Sequence, residues 1–135
     1  MFNGNEKESL LKLAQAAQKR SYSPYSAFPV GAVLLTEKGK TYLGTNIENI
    51  SYGLSMCAER VAIFNYLANG DKSDKIKALM IIGNTEEPIA PCGACRQVIA
   101  EFFSGSENIY LVSGKEKIRT VKAKELLPFA FNKLS

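Results

Sequence analysis

The chain has 135 residues, of which 46% are hydrophobic and 22% are charged, and this balance predicts one globular domain over residues 1–135 with its own core. It contains no apolar run long enough to span a bilayer, and its first residues are polar, so we expect neither a membrane anchor nor a signal peptide. The net charge of +4 comes from scattered lysines, which is more typical of a solvated surface than of a nucleic-acid interface.

The first third of the sequence predicts a helix followed by a hairpin. Apolar residues at helical spacing indicate an amphipathic helix over residues 6–20. Two prolines and a glycine then interrupt the pattern over residues 21–31. Residues 30–49 predict two strands joined by a turn at residues 37–39.

The rest of the chain alternates helical and strand patterns. We predict, in order, a helix from about Cys57 to Gly70, a strand over 75–84, a helix over 92–103, a strand over 108–114 and a short last helix over 120–128. An apolar tail follows. A hairpin followed by alternating helices and strands predicts an α/β fold with one sheet and helices on its faces.

All three cysteines stand at predicted helix starts. Cys92 and Cys95 share one helix face, which Ile99 and Phe102 continue, so we expect both thiols to point toward the core. Cys57 begins the other helix, whose buried face we expect to continue through Val61, Phe64 and Ala68. The N-terminus of a helix favours a thiolate over a thiol.

Two kinds of site compete for these cysteines. A thioredoxin-like dithiol needs only Cys92 and Cys95, and a lone buried Cys57 is most often a small hydrophobic residue. A metal site uses all three thiols, and because the chain has no histidine and no fourth cysteine, it keeps one coordination position open. That is the catalytic pattern. Glu59 would serve as its acid and base if it and Cys57 both lie in the first helical turn.

Several stretches of the sequence together favour the metal site. SPYSAFPVGA, GTNIENISYG, CAER, PCGACRQ and LLPFAF, in this order, resemble the small homotetrameric cytidine deaminases over nearly the whole chain. The resemblance implies a three-layer α/β/α fold with a single mixed sheet, and one Zn²⁺ per subunit. It implies hydrolytic deamination of cytidine and 2′-deoxycytidine, in which activated water attacks C4 of the base. The products are uridine or 2′-deoxyuridine and ammonia, as in pyrimidine salvage. The resemblance also implies a homotetramer with a nucleoside substrate. The small, odd number of cysteines favours a reducing cytoplasm, and from the charge and hydropathy pattern we expect neither a nucleic-acid nor a membrane partner.

The same resemblance implies roles for individual residues. It assigns Cys57, Cys92 and Cys95 to the zinc ion and Glu59 to proton transfer. It also assigns Asn46 and Glu48 to the ribose hydroxyls, Phe28 to the wall of the pyrimidine pocket, Ala58 to a backbone contact with the base, Phe131 to a neighbouring subunit's site, and Arg60 to hydrogen bonds with the thiolates.

Three assignments have alternatives that the sequence leaves open. Arg96 either offsets the thiolate charge, as Arg60 does, or forms a surface salt bridge. Phe129 stands where a small residue is expected in LLPFAF, so either Phe129 or Phe131 reaches the neighbouring site. If Asn46 and Glu48 bind no ribose, they are the polar residues of an ordinary solvated strand end or turn.

Other deaminases and a noncatalytic zinc module are the remaining alternatives. A blasticidin S deaminase would not need the polar pair in NIEN, which suits a ribose. A polynucleotide-editing enzyme would need a basic stripe with interleaved aromatic residues. A noncatalytic zinc module would need a fourth ligand or would lack the acid.

Overall fold

The computed structural model describes residues 5–134. Its elements are, in chain order, α1 (Glu6–Gln18), β1 (Val30–Thr36), β2 (Thr41–Thr45), α2 (Ala58–Asn69), β3 (Ile76–Gly83), α3 (Gly93–Phe102), β4 (Asn108–Val112) and β5 (Ile118–Lys122). Short 3-10 turns lie at Tyr52–Leu54 and Ala123–Glu125. Among the described residues, no helix has the length and apolar character needed to cross a membrane.

The five strands of the described chain form one mixed sheet in the order β2-β1-β3-β4-β5. The β3–β4 pair is parallel and the other three pairs are antiparallel. Ala32 and Leu34 of β1 face a core that includes residues of α2 and α3, whereas Val33 and Leu35 face a core that includes α1. The predicted single mixed sheet between helix layers is therefore confirmed.

Two glycines in the sheet allow the helices to lie close to it. A Cβ atom on Gly31 would come within 2.1 Å of the carbonyl oxygen of Ala14 in α1. A Cβ atom on Gly44 would come within 2.3 Å of the backbone nitrogen of Ala62 in α2. Any larger residue at these positions would push a helix away from the strand beneath it.

The strand directions explain why α2 and α3 begin at the same edge of the sheet. Because β2 and β3 are both antiparallel to β1, they run in the same direction and end at the same edge. The chain leaves β2 there and enters α2, and it leaves β3 there and enters α3. The fold therefore brings the two helix N-termini together, which is where the candidate ligands stand.

Three details of the predicted elements were wrong. Residues Ile118–Lys122 form edge strand β5, and the predicted last helix is reduced to the 3-10 turn that follows it. On α2 the buried residues include Ala58, Ala62, Ile63 and Tyr66, whereas Phe64 is exposed. Ala68 is also exposed, as is Phe102 of α3.

Candidate active site

Three thiols from the two helix starts surround one point. Cys57 and Cys92 are the N-cap residues of α2 and α3 and have extended backbones, so they precede the helical turns. Cys95 lies in the first turn of α3 and is buried, whereas Cys92 is exposed, so the expectation that both thiols point toward the core was wrong for Cys92. The Cys92 sulfur lies 3.8 Å from that of Cys57 and 3.5 Å from that of Cys95, and all three sulfurs lie within 4.8 Å of one another.

These distances match a zinc ion better than a dithiol. Two thiolates on a tetrahedral zinc ion lie about 3.8 Å apart, because each Zn–S bond is about 2.3 Å long. A disulfide would need a separation of about 2.05 Å. All three cysteines of the chain are free. Three thiolates fill three corners of a tetrahedron and leave one for water or substrate.

Arg60 supplies positive charge beside the thiols. Its Nη2 atom donates to the sulfur of Cys57 at 3.4 Å. Among residues 5–134, its buried Nε atom has no hydrogen-bond partner. The Cys95 thiol, together with hydrogen bonds from Arg60 and Cys92, lowers the pKa of Cys57 to about 5 despite its partial burial.

The thiol of Cys95 is affected in the opposite direction. Its interaction with Cys57, together with burial, raises the pKa of Cys95 far above the usual range. Binding of a divalent metal would therefore release protons from the thiols, since a metal ligand must be a thiolate. The guanidinium of Arg60 would offset part of the negative charge of a three-thiolate site.

Glu59 lies buried beside this cluster. It is the second residue of α2, and only 5% of its surface is exposed. Because Cys57 precedes the helix as its N-cap, the two side chains can approach one point although they are two positions apart. Burial raises the pKa of Glu59, and the nearby Cys57 thiolate adds to this effect.

Asn46 follows β2 and holds the segment that carries Phe28. Its Nδ2 atom donates to the Phe28 carbonyl at 2.9 Å. Its Oδ1 atom accepts from the backbone nitrogen of Val30 at 3.0 Å and from the Ser21 hydroxyl at 2.6 Å. Since an amide nitrogen has two hydrogens, these bonds leave one N–H of Asn46 for a ligand.

Glu48 is bound by the same segment. Its Oε1 atom accepts from the backbone nitrogens of Tyr25 and Ser26, each at 3.1 Å, and its Oε2 atom accepts from the Ser26 hydroxyl. The Ser26 hydroxyl is the main cause of a pKa of Glu48 that lies below the usual range. A carboxylate can accept about four hydrogen bonds, so one lone-pair position remains on Oε2.

Phe28 and Ala58 lie at the edge of the core on the α2 and α3 side of the sheet. Phe28 is partly buried and packs against this core, to which the fully buried Ala58 belongs. The lack of a side chain at Gly83 makes room for Ile89 and Phe28, because a Cβ atom there would lie 2.7 Å from the Ile89 side chain and 3.2 Å from the Phe28 ring.

Arg96 and the C-terminal segment complete the predicted set. Arg96 donates to the carbonyls of Pro91 and Leu126, each at 2.8 Å, so neither thiolates nor carboxylates account for its described bonds. Phe129 is fully exposed and has a left-handed backbone with φ of 54°. Phe131 is 66% exposed, and its carbonyl accepts from Gln97 of the same chain at 2.8 Å.

Ser21, Ser26 and Gly83 were missed by the sequence analysis. Both serines lie within or beside the SPYSAF stretch, but serines in a turn are common and carry no specific signal. Ser26 contacts a residue 22 positions away. No periodic pattern in the sequence predicts such a pairing.

Comparison with known proteins gives consistent matches. Residues 4–112 match the family described as the cytidine and deoxycytidylate deaminase zinc-binding region. The chain is 48% identical to the cytidine deaminase of Sporosarcina psychrophila over 93% of this chain and 91% of that protein. The crystal structure of cytidine deaminase from Burkholderia pseudomallei is similar, with a TM-score of 0.88 and 45% identity over 92% of this chain and 98% of that one. The crystal structure of cytidine deaminase from Mycobacterium tuberculosis is also similar, with a TM-score of 0.77 and 33% identity over 93% of this chain and 97% of that one.

Proposed function

Because the chain belongs to the cytidine and deoxycytidylate deaminase family, we propose that it hydrolyses cytidine and 2′-deoxycytidine to uridine and 2′-deoxyuridine, with release of ammonia. The observation that carries this proposal is the group of three thiols at two helix N-termini, with a buried carboxylate beside it. A structural zinc site would close with a fourth protein ligand, whereas this group has three sulfur ligands and an adjacent acid.

Cys57, Cys92 and Cys95 would hold the zinc ion, which when bound supplies a water molecule of lowered pKa. Arg60 would limit the negative charge that the three thiolates place on the site. Arg96 would act at a distance from the sulfurs. Its bonds to the carbonyls of Pro91 and Leu126 connect the residue that precedes Cys92 with the segment that follows β5.

Glu59 would carry both protons of the reaction. It takes a proton from the attacking water and delivers it to N3 of the pyrimidine while C4 gains oxygen. It then takes the remaining proton from the new hydroxyl group on C4 and delivers it to the amino group, so that a C4 carbonyl forms as the C4–N bond breaks and ammonia leaves. Its burial keeps water from competing for these protons.

The nucleoside would lie between the segment of residues 21–28 and the start of α2. The free N–H of Asn46 and the free lone pair of Glu48 offer one donor and one acceptor, which is the complement of a hydroxyl group. A ribose hydroxyl common to cytidine and 2′-deoxycytidine suits this pair. Phe28 would contact the pyrimidine ring, and the backbone of Ala58 would bind its polar edge.

Glu59→Gln gives the direct test of this proposal. The purified protein with one zinc ion per chain should remove the ultraviolet absorbance of cytidine, and the variant should keep its zinc and fold but lose about 10⁴-fold or more of the activity. Activity of the variant within tenfold of the parent would contradict the role of Glu59. A zinc-loaded parent that leaves cytidine unchanged would indicate a noncatalytic module, and preference for blasticidin S would indicate the alternative substrate.

We also propose that the active enzyme is a homotetramer in which Phe131 enters a neighbouring subunit's site. Large exposed apolar side chains support an assembly: Ile50, Tyr52, Leu54 and Phe131 are 79%, 71%, 69% and 66% exposed. Exposed apolar groups in such number are typical of protein interfaces.

A mixing experiment tests the contribution of Phe131. Chains with Glu59→Gln and chains with Phe131→Ala are assembled together. Mixed tetramers would contain sites with an intact Glu59 and an intact Phe131 from the other chain, so activity should exceed the sum of the two parents. No gain on mixing, or a fully active monomer in sedimentation, would contradict the proposal.

We further propose that residues 1–135 act as one domain in the cytoplasm, in pyrimidine salvage. The reducing cytoplasm keeps the three thiols available for zinc, which supports this location. Growth of a strain that depends on cytidine as its pyrimidine source, with and without the active protein, tests the salvage role.

A further inference from the structure

A single hydroxyl group connects two walls of the proposed nucleoside site. The Ser26 Oγ atom donates to Oε2 of Glu48 and accepts from the backbone nitrogen of Phe28 at 3.1 Å. The backbone nitrogens of Tyr25 and Ser26 hold the other oxygen of Glu48. Ser26 therefore touches both the carboxylate assigned to the sugar and the residue assigned to the base.

The backbone beside Ser26 has an unfavourable conformation. Ala27, between Ser26 and Phe28, has a left-handed φ of 54°, which residues with a side chain rarely adopt. Its nitrogen donates to the Ser23 carbonyl at 2.9 Å, and the bond from Phe28 to the Ser26 hydroxyl spans the same residue. A strained residue persists only where its surroundings fix it, and such residues are concentrated at functional sites.

We propose that Ser26 is a positioning residue that fixes the Glu48 carboxylate and the Phe28 backbone, so that the one free lone pair of Glu48 is presented to a sugar hydroxyl of the nucleoside. The proposal rests on the proposed function. Without the Ser26 hydroxyl, Oε2 of Glu48 has no fixed partner, and the carboxylate must be ordered by the substrate itself. The loss falls on nucleoside binding, because Ser26 does not touch the reacting atoms.

Ser26→Ala is the main test variant, and Ser104→Ala is its matched control. Ser104 also donates from its hydroxyl and its backbone nitrogen to a carboxylate, that of Glu107, but it lies beyond the C-terminal end of α3, far from the thiols. Loss of a hydrogen bond to a charged group predicts a KM for cytidine that rises about tenfold in Ser26→Ala, with kcat within about threefold of the parent. Ser104→Ala should leave both constants unchanged.

Two further measurements separate positioning from a general weakening of the protein. With 2′,3′-dideoxycytidine, which lacks the sugar diol, Ser26→Ala should raise KM by less than about threefold, because Glu48 then has no hydroxyl to hold. In a Glu48→Ala background, Ser26→Ala should likewise add less than about threefold. Ser26→Thr, which keeps a hydroxyl, should restore most of the affinity for cytidine.

Equal increases in KM for cytidine and 2′,3′-dideoxycytidine would overturn the proposal, as would a full effect of Ser26→Ala in the Glu48→Ala background. Calorimetric binding of cytidine to Glu59→Gln, with and without Ser26→Ala, separates this inference from the proposed function. Weaker cytidine binding caused by Ser26→Ala, together with a zinc-loaded parent protein that does not turn over cytidine, would refute the function but support the positioning role. Normal turnover with an unchanged KM in Ser26→Ala would refute the positioning role alone.

Discussion

Asn46→Ala should lower both the stability and the activity of this protein, because it removes two hydrogen bonds to the backbone. The substitution leaves the Val30 nitrogen and the Phe28 carbonyl without their partner. A buried polar group that loses its hydrogen bond costs about 1–3 kcal/mol, and these groups are partly buried, so we expect a loss of about 3 kcal/mol for the two together. A chain of this length has a melting entropy of about 0.28 kcal/mol/K, so Tm should fall by about 10 °C.

The assay pairs thermal unfolding with steady-state kinetics. The value of kcat/KM for cytidine should fall at least about a hundredfold, because the proposed donor to the ribose and the anchor of Phe28 are lost together. Asn65→Ala is the control, since Asn65 also donates from Nδ2 to a backbone carbonyl, that of Leu43, but lies on α2 away from the site. Its Tm should change by less than about 3 °C, because alanine favours the helix. A normal Tm in Asn46→Ala, or equal losses in both variants, would refute the reasoning.

Three further outcomes are expected. Cys92→Ala should lose both its stoichiometric zinc, as measured by metal analysis, and its deamination activity. Retention of zinc would show that Cys92 is not a zinc ligand. Phe129→Gly should raise the free energy of unfolding by about 0.5–1 kcal/mol, because glycine adopts the left-handed backbone of this position without strain; thermal unfolding measures the change. A loss of activity in the same variant would show that Phe129 reaches the neighbouring site. Burial of Glu6 opposes ionisation, but hydrogen bonds from Lys77 and Tyr110 outweigh it and hold the pKa of Glu6 below its usual range. Its stabilising contribution is therefore present above the unfolded-state pKa of about 4.3 and is lost as the pH falls through the lower folded-state pKa. Wild type and Glu6→Gln should therefore differ in stability at pH 7 and converge once the pH is below that folded-state pKa.

The fold followed largely from pattern, and its errors have local physical causes. Because Cys57 is an N-cap with extended backbone, counting helical turns from it misplaces the buried positions by one residue. Val61 was expected where Ala62 is buried, and Phe64 where Ile63 is buried. Edge strand β5 was assigned to a helix because Arg119 and Thr120, which point to opposite faces of the strand, are both exposed and leave no strong alternation of apolar residues. Local patterns do not reveal which edge of a sheet remains available for pairing.

The site was predictable where the chemistry is concentrated in a few reactive residues. Three cysteines without any histidine leave few ways to build a metal site, and their spacing placed each at a helix start. The hydrogen bonds of Ser21 to Asn46 and of Ser26 to Glu48 were not predictable, since they depend on how a turn packs against the segment that follows β2. The preference of Arg96 for backbone carbonyls had no sequence signal either, because its partners lie on opposite sides of α3 in the chain.

The thiols at the starts of α2 and α3 also have a consequence for the unfolded chain. Cys57 and Cys92 are 35 positions apart, so a metal ion bound to both closes a long loop, as a cross-link would. By the chain-entropy relation for disulfides, closing a loop of this length raises the free energy of the denatured state by about 4 kcal/mol. Strand β3 lies within that loop but contains none of the zinc-binding cysteines. Its amide hydrogens should therefore exchange faster after a chelator removes the zinc.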